Sequence, residues 1–447
     1  MVDRTQPGDE MFAKRTMAKV TGRLLPLAIT LYFVSYIDRA NLSVAALTMN
    51  RDLGLTPAVF GLGGAFFFVG YFLLQIPGNL ALDRWGARRV ISAVTLFWGI
   101  CAMGMALVDG KPSFYSTRLL LGLAEAPLFP GMILYIGMWF PAQWRGRIIA
   151  LFMMASPLSN VVGLPISAVL LHLDGELGLR GWQWLFLVEG LPAVLLSGVV
   201  LARLTDRPAD ADWLTFEERK WLVSAMEVES KNRLTGRSQG GTSGGLRDAL
   251  QIHTLLLALG YFGIMTGLYG YGLWLPQIVK LFGFGITQTG FIAATPYATA
   301  AVFMAYWGRR LDRKGDRGWH AATACLLGAV GLFSAAVLHS PILALGALTV
   351  AAMGLHAAMP TFWTIPTGLF KGTAAATGIA LVSALGMLGG FVGPYFVGLM
   401  RQATGNFSVA LGCLGVPLVL SAVIAWCFRD RDVNARMSSG AYFEGTK

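Results

Sequence analysis

The chain has 447 residues, 55% of them hydrophobic and only 13% charged, with a mean hydropathy of +0.60 and a formal net charge of +11. A soluble domain carries about 25% charged residues, so the soluble classes are excluded. The positive excess would suit a nucleic-acid partner, but its distribution along the chain argues against one.

Residues 1–23 are polar and mixed in charge, with no short apolar region followed by a cleavage site. They read as a tail, and the first apolar stretch as a retained helix. Apolar runs of about 20 residues, enough to cross roughly 30 Å of hydrocarbon, start near Leu24, Pro57, Val90, Ser113, Ile148 and Gln183. Residues 24–204 are therefore expected to form a six-helix bundle. Residues 205–249 form a polar central loop. Within it Thr215-Phe216-Glu217-Glu218 has the capping-box form and predicts a short amphipathic helix. Gly236 to Gly245 then reads as a flexible linker. Six more runs start near His253, Gly290, His320, Pro341, Ala374 and Phe407, giving a second bundle over residues 250–428 and a tail over 429–447. Barrel strands would instead read as short alternating segments. The expected fold is an all-α integral membrane protein, twelve transmembrane helices in two pseudo-symmetric six-helix bundles.

In this arrangement outer loops hold Arg51, Lys111, Arg180, Lys280 and Arg401, and Arg39 and Arg118 lie within spans. The remaining 28 of the 35 Lys and Arg fall in tails and inner loops. That is the positive-inside bias. It predicts cytoplasmic termini in a plasma (inner) membrane, and it assigns the charge to the lipid bilayer, with no nucleic acid among the partners.

One turn recurs. Asp83-Arg84-Trp85-Gly86-Ala87-Arg88-Arg89 joins spans two and three, and Gly308-Arg309-Arg310-Leu311-Asp312-Arg313-Lys314-Gly315-Asp316-Arg317 joins spans eight and nine. Glycine permits the bend, and Asp can cap a helix or pair with Arg. The same turn at the same place in both halves points to a duplicated bundle. Here the chain resembles the major facilitator superfamily, whose loop signature is Gly-x-x-x-Asp-Arg-x-Gly-x-Arg/Lys. The second copy matches throughout; the first has Asn79 where the leading glycine belongs and Gly78 one place early. The resemblance implies two bundles rocking about a site at mid-membrane, with Asp83, Arg84, Gly86, Arg88, Gly308, Asp312, Arg313, Gly315 and Arg317 as structural or gating positions.

Four charges sit inside the apolar spans: Asp38 and Arg39 in the first, Arg118 and Glu125 in the fourth. A charge at the bilayer centre costs roughly 2.5–3.5 kcal/mol on insertion scales, which makes such residues functional candidates. Arg118 and Glu125 are about two turns apart on one helix face, and at about 1.5 Å per residue all four groups reach similar depths, so one cavity can hold them. With both acids ionised the set is neutral. Protonating both uncovers two guanidiniums, which grip carboxylate bidentately. Proton binding thus promotes anion binding, as a symporter needs. Buried salt bridges between spans one and four are the other reading. Because Asp38 adjoins Arg39 while Glu125 lies two turns from Arg118, Arg39 is expected to act on Asp38 more strongly than Arg118 on Glu125.

Tyr36-Ile37-Asp38-Arg39-Ala40-Asn41-Leu42-Ser43 and Arg118-x6-Glu125-Ala126-Pro127-x-Phe129-Pro130-Gly131 resemble the anion:cation symporter family. That resemblance implies that Asp38 and Glu125 are proton sites and that Arg39 and Arg118 attract the anion. It also places Tyr36, Tyr71, Gln75, Asn160 and Trp363 on the substrate cavity. Read without the family, Tyr71 and Trp363 would pass for packing aromatics. The run from Gly372 to Pro394 is similar to a branch of tartrate and aromatic-acid carriers, which commonly has Asn where this chain has Ser383 and Met387. Ser383 is the substrate-contact position of the two, and the lost amides suggest a smaller or less polar ligand.

Other features have plainer readings. Gly386, Gly390, Pro394 and Gly398 form a small-residue stripe that brings helices close. Gly267, Gly270 and Gly272 could loosen span seven. His356 reads as a core histidine, Glu189 as an anchor, and the four cysteines as buried small residues without metal spacing. No Gly-x-Ser-x-Gly elbow, Cys/His cluster or nucleotide loop marks an enzyme or an ATP-driven pump. A channel would show a symmetric polar stripe or charged rings. The expectation is a monomeric secondary transporter for a small organic anion, with no cofactor and the proton as coupling ion. The alternatives are an integral membrane enzyme, a channel, or a major facilitator carrier of a neutral solute whose buried charges are structural.

Overall fold

The computed structural model describes residues 7–239, 251–369 and 372–429, and the described residues contain helices and no strand. Helix α1 (Pro7–Asp52) is followed by α2 (Pro57–Trp85), which starts on the Thr56 cap and a proline, where the missing N–H costs nothing. Then come α3 (Ala87–Gly104), α4 (Lys111–Glu125) and α5 (Leu128–Trp139). The last two make one span, interrupted where Pro127 brings no N–H to the ladder. α6 (Ala142–Met153) and α7 (Ala155–Leu170) make the next span, and α8 (Gly181–Arg203) closes the first half. After α9 (Phe216–Gln239) come α10 (Ile252–Lys280), α11 (Ile286–Lys314), α12 (Arg317–Val337), α13 (Pro341–Leu369), α14 (Gly372–Thr404) and α15 (Ser408–Cys427).

Eleven of these units are long and apolar enough to cross a membrane. The remaining candidate, α11, has 29 residues, but its Thr, Pro and Tyr side chains dilute its hydropathy. Its length of about 44 Å at 1.5 Å per residue still exceeds the hydrocarbon thickness. The protein is an all-helical, multi-pass membrane protein.

Two boundaries differ from expectation. The first helix begins at Pro7, inside the segment read as a tail. Met17 and Val20 are buried, and Lys19 pairs with Glu218 at 2.8 Å, so α9 gives this extension a surface to dock on. Lys19 and the Thr215 N–H hold the Glu218 carboxyl below its ordinary range. The second concerns the linker, because α9 runs to Gln239 and takes in Gly236, whose helical cost is only about 1 kcal/mol. The rest of that linker lies outside the described residues.

The repeated turns dock by mirrored chemistry. In the first, Gly86 has φ 87°, and Asp206, just past α8, accepts the Arg88 N–H at 2.7 Å. In the second, Gly315 has φ 74°, and Arg429, just past α15, donates to Asp316 at 3.1–3.2 Å. Arg317 donates to the Thr364 carbonyl, while Arg84, Asp312 and Arg313 are exposed. The side chain of Asp83 lies outside those described. Gly78 sits hard against the Pro127 ring, whereas the space beside Gly308 is open. Close packing therefore falls on the early glycine of the first copy.

The halves meet along two seams, α2 with α14 and α7 with α11, and at α1 with α10. At the end away from α9 these seams are nearly backbone to backbone. A Cβ at Gly61 would lie 2.6 Å from the Pro394 carbonyl oxygen; Gly398 abuts the Pro57 carbonyl and Gly290 the Ala168 methyl. Ala58 N–H to Gln402 and His172 to Thr287 add hydrogen bonds there. In the stripe on α14, Gly390, Pro394 and Gly398 thus face the other half, while Gly389 and Gly393 pack on α10. Gly267 and Gly270 are filled by Leu355, Leu418 and Leu414, and α10 is continuous past them.

Overpacking a fitted contact costs about 1–3 kcal/mol. Gly61→Val is therefore expected to hold this end open and to reduce transport. Spin labels at Arg51 and Thr404, both exposed at that end, should report a longer distance in the variant than in the parent. Unchanged distances would show that the seam is not tight.

Candidate functional site

The site begins with two helices pressed together. Gly122 on α4 meets the Phe67 carbonyl on α2, and Gly70 meets the Leu119 carbonyl, so no side chain separates the backbones. That approach puts the Phe67 ring between two guanidiniums, 5.2 Å from Arg39 and 5.1 Å from Arg118. Tyr36 and Tyr71 add further faces to Arg39 at 4.8 and 5.4 Å. A desolvated cation over an aromatic face gains up to about 2 kcal/mol, which offsets part of the burial cost.

Arg39 does not turn to its sequence neighbour. Its Nε and Nη2 donate to Glu125 Oε1 at 3.0 and 2.8 Å, and its Nη1 donates to the Tyr269 hydroxyl of α10 at 3.2 Å. Consecutive helical residues diverge by about 100°, so Asp38 faces elsewhere. It accepts from Trp98 Nε1 on α3 and from Asn41 Nδ2, each at 3.0 Å. The expected dominance of Arg39 over Asp38 is therefore replaced by a pairing across helices. Glu125 is fully buried, its Oε2 has no hydrogen-bond partner among the described residues, and it stands at the break between α4 and α5. Arg118 is buried, makes no ion pair among the described residues and has an unpartnered Nε.

A cavity of about 80 Å³ lies between the halves. The first half gives it Tyr36, Arg39, Arg118, Ser156 and Asn160; the second gives Tyr269, Tyr297 and His356 among its polar groups. Of the four intramembrane charges, only the two arginines line it. Asp38 and Glu125 do not line it; Glu125 is joined to the wall through Arg39, and Asp38 is held by Trp98 and Asn41. Tyr71 is buried against Arg39 without lining the cavity, and Gln75 sits half-buried a turn beyond. Trp363 packs edge-on to Tyr261 at 4.9 Å, and Ser383 is half-buried on α14; neither lines the cavity. Tyr269, Tyr297 and Phe67 also line the cavity but carry no charge to single them out in the sequence, where His356 reads as core. The polar groups of His356 and Tyr297 inside spans were the signal available. Glu189 bonds Ser167 at 2.7 Å, as an anchor would.

The chain matches the family described as Major Facilitator Superfamily over residues 28–394 and 257–442. The "Putative tartrate transporter" of Agrobacterium vitis is 48% identical over 410 residues, covering 92% of this chain and 90% of that protein. The quinolone resistance transporter of Acinetobacter baumannii is 39% identical, covering 93% and 95%. Among solved structures, the xylose transporter XylE from E. coli in a partially occluded inward-open conformation superposes with a TM-score of 0.74 at 17% identity, covering 92% and 98%.

Removing one partner of a buried pair leaves an uncompensated charge, at a cost of roughly 3–5 kcal/mol. Glu125→Ala is expected to lose stability on that scale, whereas Glu125→Leu combined with Arg39→Met should recover most of it. Thermal unfolding of the purified protein checks both. A Glu125→Ala protein as stable as the parent would mean that the pair is not desolvated.

Proposed function

The chain belongs to the major facilitator superfamily, and from that premise we propose that this transporter carries a small organic anion, a mono- or dicarboxylate, together with protons. The observation that carries the reading is Arg118, a buried guanidinium on the cavity wall with no carboxylate of its own among the described residues. A ligand carboxylate is the partner it lacks. Relatives named for tartrate transport support an anionic cargo of this size.

In this reading Glu125 is the coupling acid nearest the cargo. A proton on Glu125 ends its ion pair with Arg39, and both guanidiniums then face the cavity without an acid between them. Arg39 is free to turn toward the ligand and away from Tyr269 of the other half. Release of the proton restores the Arg39–Glu125 pair and withdraws one arm of the clamp, so the cargo leaves. Asp38 serves as a second proton site, held by Trp98 and Asn41 on the far side of α1. The route is alternating access about the cavity, with the seam at Gly61, Gly290 and Gly398 closing one end. We further propose an inner-membrane location with both termini in the cytoplasm, on the asymmetry of the basic residues, and a monomer needing only the proton as coupling ion.

Counterflow and pH-driven uptake of a labelled carboxylate in proteoliposomes separate the roles. Arg118→Ala is expected to lower affinity at least about 30-fold, since stripping one side of a desolvated charge pair costs some 2 kcal/mol or more. Arg118→Lys should rescue it poorly, lacking the planar fork. Glu125→Gln should keep counterflow and lose accumulation against a gradient. Uphill uptake at the parental level by Glu125→Gln would reduce Glu125 to a structural partner.

A further inference from the structure

On the first-half wall the two guanidiniums can only donate, while Tyr36, Ser156 and Asn160 can both donate and accept. The second-half wall is different. His356 on α13 has its Nδ1 3.0 Å from the Ala352 carbonyl one turn earlier. A carbonyl oxygen can only accept, so Nδ1 carries the hydrogen. No carboxylate lines the cavity, and two guanidiniums already do. A third cation there would have no counter-charge, so the neutral ring is the form that fits. Its Nε2 is then a lone-pair acceptor. No hydrogen bond to Nε2 is present among the described residues, and His356 lines the cavity. Tyr297 stands edge-on to the imidazole, with ring centroids 5.4 Å apart at 87°, and lines the cavity beside it.

A ligand made only of carboxylate and methylene groups satisfies the arginines and leaves this acceptor facing an apolar surface, which costs the desolvation of a polar group. A ligand with a hydroxyl beside its carboxylate does not. Resting on the carboxylate reading above, we infer that His356 is the specificity-determining residue for a substrate hydroxyl, and that the cargo is a hydroxy acid. The substrate O–H donates to Nε2, and the Tyr297 hydroxyl donates to the same substrate oxygen.

The probes are 2,3-dihydroxybutanedioate and its deoxy counterpart succinate, competing for binding and for uptake by the full-length protein in proteoliposomes. The parent is expected to prefer the dihydroxy acid by about 10-fold or more, a preference that hydrogen-bonding sites produce and apolar pockets do not. His356→Leu should lose about 10-fold for the dihydroxy acid and leave succinate within about 2-fold. His356→Gln, whose side-chain carbonyl still accepts, should retain most of the preference. Tyr297→Phe keeps the ring and removes only the hydroxyl, so it should narrow the preference even if His356→Leu does not fold. Equal losses for both acids in these variants would overturn the inference and make His356 a packing residue. A parent that binds both acids equally would overturn it as well, while leaving the carboxylate reading standing. A parent that binds neither acid would overturn this inference, and one that also binds no monocarboxylate would sink the carboxylate reading with it.

Discussion

The ion pair between Arg39 and Glu125 is the constraint around which the rest is arranged. Neither group could stand alone at this depth, because an isolated ion in a low-dielectric interior costs several kcal/mol even after relaxation. Three aromatic faces, one carboxylate and one phenol from the opposite half surround the guanidinium. Each comes from a different place: α1 supplies the arginine and Tyr36, α2 the other two rings, α4 the acid and α10 the phenol. Four helices are thereby fixed in rotation by one side chain. A helix turned by even one residue would present an apolar group to the charge.

That arrangement in turn requires helices closer together than side chains normally permit. Gly70 and Gly122 let α2 and α4 touch, and Gly78 accepts the Pro127 ring two turns further along α2. Pro127 has its own role, since it interrupts the span directly after Glu125 and leaves that acid at a helix end, where local movement is easier. The turns at Gly86 and Gly315 then lock each half to the chain leaving it, through Asp206 in one half and Arg429 in the other. The two halves share geometry while reversing the polarity of that lock.

Much of this was legible in the residues. Charges inside apolar runs carry their own alarm, and Asp38, Arg39, Arg118 and Glu125 were found by that alone. Span positions followed from apolar length, and the helix after Thr215 from its cap. What failed was direction. Adjacency of Asp38 and Arg39 suggests a pair, but neighbours on a helix point about 100° apart, and the partners that α3 and α4 offer, Trp98 and Glu125, decide where each goes. The second half was harder for another reason. His356, Tyr269 and Tyr297 bear no formal charge, so their composition is that of a core. Of the positions that the resemblance puts on the substrate cavity, Tyr36 and Asn160 line it in this conformation, and Tyr71, Gln75 and Trp363 do not. The extension of α1 back to Pro7 depended on a partner, α9, some two hundred residues away.

The seam at Gly61, Gly290 and Gly398 has a thermodynamic meaning as well as a steric one. Small residues pressed against backbone surrender almost no rotamer freedom on closing, and regain almost none on opening. Surrounding lipid is as apolar as the contacts themselves, so there is little hydrophobic gain to hold the seam shut. No titratable side chain takes part in those three glycine contacts, and their strength is therefore the same at every pH. Such a joint is close to balanced, with its two positions differing by little. A proton and a carboxylate arriving at the other end of the cavity then need to contribute only a modest differential affinity to decide which way the molecule faces.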